Sequence, residues 1–237
     1  MDIVVVEAVV LGVVVLLAVA VIASRVVGSV PERKHCERLA AWAREHGWSY
    51  DRERPELVDR FEGYPFVERR SNAHTRHVLC ARLRGRQVMA YEYSYATSHH
   101  DGRDTATTEH VHTVVAVALP GPVPVLEVRA EDTGHLQLGV AGVRDVRVGD
   151  AAFDGTFYVA AADEDFARRV LDERVRAHLL EAGPGVPVPF RFAGTHLLTW
   201  QDRALDPDVA AERAQALVEV LERVPRAVWG ERHDTVG

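Results

Sequence analysis

Twelve histidines in 237 residues are the richest supply of reactive side chains in this chain, and several are spaced to act together. They include the pairs His74 with His77, His99 with His100, and His110 with His112. On a strand, His110 and His112 share a face by the period of two. With a two-residue turn at Arg84-Gly85, His77 lies opposite Glu92; with a hairpin centred on Gly102, Glu92 lies opposite His112. One face of three neighbouring strands then carries His77, Glu92 and His112. Imidazole and carboxylate suit zinc or another divalent ion. A slip of one residue throws His77 or His112 to the other face. The expected reading is therefore a solvent-facing polar stripe, its cross-strand pairs worth about 0.2–1 kcal/mol each, with no metal or cofactor assigned; the three-residue metal centre is the alternative. His99, His100, Asp101 and Asp104 read as a solvated loop tip. His35-Cys36 is adjacent in a helix, a spacing that points two side chains apart.

No other chemistry announces itself. The chain lacks GxSxG, HExxH, a GxxxxGK[ST] phosphate loop and a GxGxxG turn. Two cysteines, Cys36 and Cys80, are too few for a disulfide framework and read as small buried hydrophobes in a reducing compartment. The formal net charge of −7, with arginines dispersed, is a poor match for nucleic acid.

The elements that must position these residues read as α+β. The spacing predicts a helix from Ser29, as N-cap of a Ser29–Glu32 capping box, to about His46, stopped at Gly47. Short extended and turn segments follow at Trp48–Tyr50 and Pro55–Phe61. Strands are predicted at Thr75–Leu83, Gln87–Thr97, Thr107–Leu119, Val125–Arg129 and Thr156–Ala160, with Pro120, Pro122 and Pro124 breaking the sheet. Met89, Tyr91, Tyr93 and Tyr95 alternate as a core-facing ladder. Asp163 caps a helix over Glu164–Ala182, kinked near Asp172; a hairpin pairs Pro189–Ala193 with His196–Gln201; Asp206-Pro207 opens a last helix to about Arg223. Strands in a run, then helices, argue for a mainly antiparallel sheet with two or three packed helices.

The first 28 residues stand apart. Residues 3–24 carry no charged side chain except Glu7, a stretch long enough as a helix to span about 30 Å of hydrocarbon. The leading Met1, Asp2 and Glu7 make an acidic start, unlike a cleaved signal peptide. Arg25, Arg33, Lys34 and Arg38 flank the other end, so the positive-inside rule places the N-terminus outside and the rest in the cytoplasm. The organisation expected is a transmembrane anchor over 1–28, a juxtamembrane helix over 29–47, a soluble α+β domain over 48–230 and a frayed tail over 231–237.

Several stretches together, the anchor with RLAAWAREHGWSY, RGRQVMAYEYSY, HTVVAVALPGPVPVLEV, FDGTFYVAAADEDFARRVLDERVRAHLL and LDPDVAAERAQALVEVLERVP, resemble a group of uncharacterised single-pass membrane proteins common in actinobacteria. The resemblance implies no activity, substrate or site. The function expected is a cytoplasm-facing binding or scaffolding module on the plasma membrane, with the bilayer and an unidentified protein as partners and no nucleic acid. The alternative is a metal-dependent enzyme using His77, Glu92 and His112.

Overall fold

A computed structural model describes residues 32–66, 72–101, 104–130, 140, 142–183 and 189–229. The predicted anchor and the Ser29 cap lie outside them, and among the described residues no helix is long and apolar enough to cross a membrane. Helix α1 covers 32–46. It buries Leu39 and Ala43 and ends where Gly47 takes a positive φ of 72°. The Trp48 N–H then closes back on the Ala43 carbonyl at 2.7 Å, satisfying a C-terminal carbonyl.

Seven strands form one antiparallel sheet: β1 (Ser49–Glu53), β2 (His74–Leu83), β3 (Arg86–Asp101), β4 (Asp104–Ala130), β5 (Arg144–Asp145), β6 (Phe157–Ala161) and β7 (Phe190–Gln201), in the order β1-β2-β3-β4-β6-β5, with β7 also paired to β4. The α+β class read from the sequence agrees with this sheet. Two features differ. The prolines do not end a strand: β4 is one strand of 27 residues. Its pairing with β3 stops at Val117 and that with β6 starts at Leu126, so Pro120, Pro122 and Pro124 fall where these two neighbours ask for no N–H. Nor is there a hairpin at Gly194. β7 runs straight through it and pairs with β4 on both sides. From Ala118 to Leu126 β4 advances eight positions, where β7 advances four, from His196 to Phe192. The surplus is a bulge opposite Gly194, whose φ is 54°.

On one face lie α1, α3 (Glu164–Val170), α4 (Glu173–Ala182) and α5 (Pro207–Arg223), with the single turn α2 (Ala151–Asp154) packed on β6. The kink expected near Asp172 is a full break: Asp172 caps α4 by accepting the Val175 N–H at 3.0 Å, as Asp163 caps α3 through Phe166. α5 opens at Asp206-Pro207 and buries Ala210, Ala214, Leu217, Val218, Val220 and Leu221. Burying each large side chain among these is worth roughly 1.5–3 kcal/mol.

Among the described residues, the other face is covered mainly by the segment between β1 and β2. Leu57, Phe61 and Phe66 from that segment pack on Val78, Val114, Leu198, Trp200 and the buried Tyr91, Tyr93 and Tyr95. Arg191, 1 % exposed, ties this cover down. It donates to Glu127 at 2.6 and 2.8 Å, to the Glu62 carbonyl at 2.6 Å and to the Tyr64 carbonyl at 3.0 Å, and lies over the Trp200 ring.

Candidate functional site

The first hairpin forms as its sequence requires. Arg84 and Gly85 both take positive φ, 45° and 81°, between the paired Leu83 and Arg86. Projected down the strands, that register sets His77 against Glu92. The strand then inserts one residue: Arg76 pairs with Glu92, and Leu79 with Ala90. His77 is in this bulge, at φ 54°, a left-handed backbone that a non-glycine residue holds only at a cost of about 1–2 kcal/mol. The side chain is 3 % exposed. Its Nδ1 lies 3.0 Å from the Tyr50 hydroxyl, and its Nε2 3.9 Å from Glu92 Oε2 and 3.7 Å from Glu32 Oε1. Burial pushes its pKa below the ordinary imidazole range, with Glu92 pulling the other way.

His112 does not join them. The second hairpin pairs Asp101 with Asp104, one step away from a hairpin centred on Gly102. Glu92 therefore faces Thr113, and His112 faces Tyr93. That single step moves His112 to the opposite face of the sheet. There it stacks on Tyr95 at 5.7 Å and meets the Tyr64 ring edge-on at 5.6 Å. Its Nδ1 lies 2.8 Å from Asp202 Oδ1, to which the Tyr64 hydroxyl also donates at 2.9 Å. The arrangement is an imidazole oriented by a carboxylate. Its Nε2 is buried without a hydrogen-bond partner among the described residues, and burial holds the pKa down. So the stripe His77, Glu92, His112 is divided between the two faces, and neither histidine is solvent-facing.

What His77 and Glu92 meet instead is α1. Glu32, His35 and Cys36 recur at i, i+3 and i+4, one helix face. The His35 ring meets the His77 ring edge-on at 4.8 Å, and Cys36 Sγ stands 3.9 Å from Glu32 Oε1. Cys36 is thus half-buried beside a carboxylate rather than a core hydrophobe, and Cys80 is half-buried too, 3.8 Å from Arg54 Nη1. Two groups of mutually close donor atoms share His77: Glu32 with Cys36, and His35 with Glu92. Glu92 Oε1 accepts the Leu205 N–H at 2.8 Å, which aims Oε2 at His77. The sequence signal for this cluster was the Glu32, His35, Cys36 spacing. Weighing only the adjacent pair His35-Cys36 hid it, because the helix neighbours that matter are three and four apart.

On the other face, the 54–66 cover leaves two adjoining hollows, about 680 and 500 Å³ in volume, that share Glu56, Arg60 and His196. Cys80, Met89 and Ala118 line one, with Arg54, Arg60 and Arg82; Phe61, Val125 and Ala193 line the other. His196 meets Phe61 edge-on, and burial, with Arg60 adding to it, pushes its pKa down to about 4. The result is a groove with apolar lining and several guanidinium groups.

No protein-family model matches this chain, and none of the curated proteins compared matches it. Among solved structures it is similar to the crystal structure of the mycobacterial trehalose monomycolate transport factor A, TtfA, at 18% identity and a TM-score of 0.57, over 80% of this chain and 96% of that one. At that identity the likeness is one of fold: the antiparallel sheet with its helices is an arrangement that this mycobacterial factor shares.

Proposed function

We propose that the chain is a membrane-tethered binding module, anchored in the bilayer by residues 3–24 and presenting its α+β domain on the cytoplasmic side. The observation that carries the reading is the unequal cover of the sheet. One face is sealed by four helices, while the other keeps a groove beside the 54–66 segment, with apolar lining and Arg54, Arg60 and Arg82 around it. Such a surface, whose rim carries Glu56, Asp59 and Glu62 as well as the arginines, suits an extended amphipathic partner: the apolar wall supplies burial and the charged groups of both signs supply direction. A binding or scaffolding role is consistent with the likeness of fold to a protein described as a transport factor.

The test is capture from native membranes by the full-length protein and by an Arg60→Glu, Arg82→Glu variant. The native chain retains a defined partner that the charge-reversed groove loses. Identical captured sets from both would overturn the groove. Topology has a separate readout: a C-terminal alkaline phosphatase fusion is expected to be inactive, and an active one would place the domain outside.

A further inference from the structure

The cluster around His77 is independent of that groove, and we infer that it binds a zinc-class divalent cation, with His77 Nε2, Glu32 and Cys36 as ligands. Three elements converge there: α1 supplies Glu32 and Cys36, the β2 bulge supplies His77, and β3 sets Glu92 alongside. Bond lengths of about 2.0–2.3 Å in a tetrahedral zinc site place ligand atoms roughly 3.3–3.6 Å apart. Here Nε2 to Glu32 is 3.7 Å and Glu32 to Sγ is 3.9 Å, and the ligand atoms of all three residues lie within 4.8 Å of one another, so closing on an ion takes shifts of at most about an ångström. His35 and Glu92 stand on the same histidine, their ligand atoms within 4.8 Å of one another and of His77.

The surroundings orient the donors as metal sites require. Tyr50 holds Nδ1, which leaves Nε2 to face the ion when Nδ1 carries the proton. The Leu205 N–H holds the far oxygen of Glu92. Thiolate and imidazole together select zinc, cobalt or nickel over magnesium or calcium. Binding displaces the Cys36 thiol proton to solvent and forms one sulfur–metal bond, so no oxidant or reductant is needed. Arg52 is the competing cation, 4.0 Å from Glu32 but largely exposed. The bulge that places a buried histidine at φ 54° then has a purpose: it swings the ring off the regular pleat toward α1. The ion would fasten α1, the helix that follows the apolar segment, to the sheet.

Cobalt(II) titration of metal-free full-length protein in detergent micelles tests this. One equivalent is expected, with a thiolate-to-cobalt charge-transfer band that zinc displaces. Cys36→Ser abolishes the band, while Cys80→Ser keeps it. His77→Asn, an exchange that retains a residue tolerant of the left-handed backbone, weakens zinc binding by about a hundredfold or more, and Tyr50→Phe by about ten- to a hundredfold. Absence of the band in the native chain, or equal zinc affinity in Cys36→Ser and native protein, would overturn the site. Cys36 is half-buried and exchanged for a near-isostere, so its result does not depend on whether His77→Asn folds.

Discussion

The two faces of the sheet solve the same burial problem with different materials. The helix side is an apolar core of Leu79, Val115, Phe166, Val175, Leu217 and their neighbours, closed by α5 lying over β3 and β4. Among the described residues, the other side is covered mainly by one short segment and held by polar groups: Arg191 on Glu127, Tyr64 and His112 on Asp202, and a ladder of tyrosines. Among the described residues, its buried atoms without hydrogen-bond partners include Tyr91 Oη and His112 Nε2. Apolar packing is forgiving of detail; a buried polar clamp is satisfied only in one geometry. The helix face therefore supplies most of the apolar core, while the thinner face depends on directional polar contacts.

The comparison breaks most readily at Arg191. Arg191→Met leaves the Glu127 carboxylate buried without its partner and frees the carbonyls of Glu62 and Tyr64, and should cost about 3–5 kcal/mol by denaturant unfolding. Leu217→Ala on the helix side should cost about 2–5 kcal/mol by the cavity it opens. A loss under about 1 kcal/mol for Arg191→Met would mean that the cover does not depend on the clamp.

Acid is the next lever. His112 and His196 on the thin face, and His77 at the edge of the other, all hold depressed pKa values. Between an unfolded value near 6.5 and the folded value of about 4 for His196, the unfolded chain binds more protons. Stability is therefore complete above pH 6.5 and falls as pH drops toward 4. His196→Phe should flatten that fall, as thermal melts across the range would record. An unchanged profile would remove His196 from the cause.

The smallest expected effect is at Asp202, whose side chain is 66% exposed. Asp202→Asn should cost under about 1 kcal/mol. Because the carboxylate now pulls the His112 pKa upward against burial, its loss should lower that pKa further, seen by NMR titration. A rise instead would show that Asp202 does not orient the ring.

Much of this was readable from residue patterns. Asp163 and Asp206 announced their helices because capping is local, and Arg84-Gly85 announced its hairpin because few residues accept two positive φ angles in succession. The tyrosine ladder followed from a period of two. Reading failed where one residue of register decided the outcome. The prolines of β4 looked like a break because neighbours, not proline itself, determine whether an N–H is needed. Gly194 looked like a turn and is a bulge.

By itself, then, the sequence determined the α+β class, most helix ends, the central alternation of β3 and the candidacy of His77 and Glu92, all properties carried by neighbours within a turn or a strand. Only the tertiary structure decided that His112 belongs to the other face and that Glu32, His35 and Cys36 stand beside His77. Those placements depend on a bulge, a one-residue difference in a hairpin and the docking of α1. Each is selected by the packing of the whole sheet rather than by the residues on the spot.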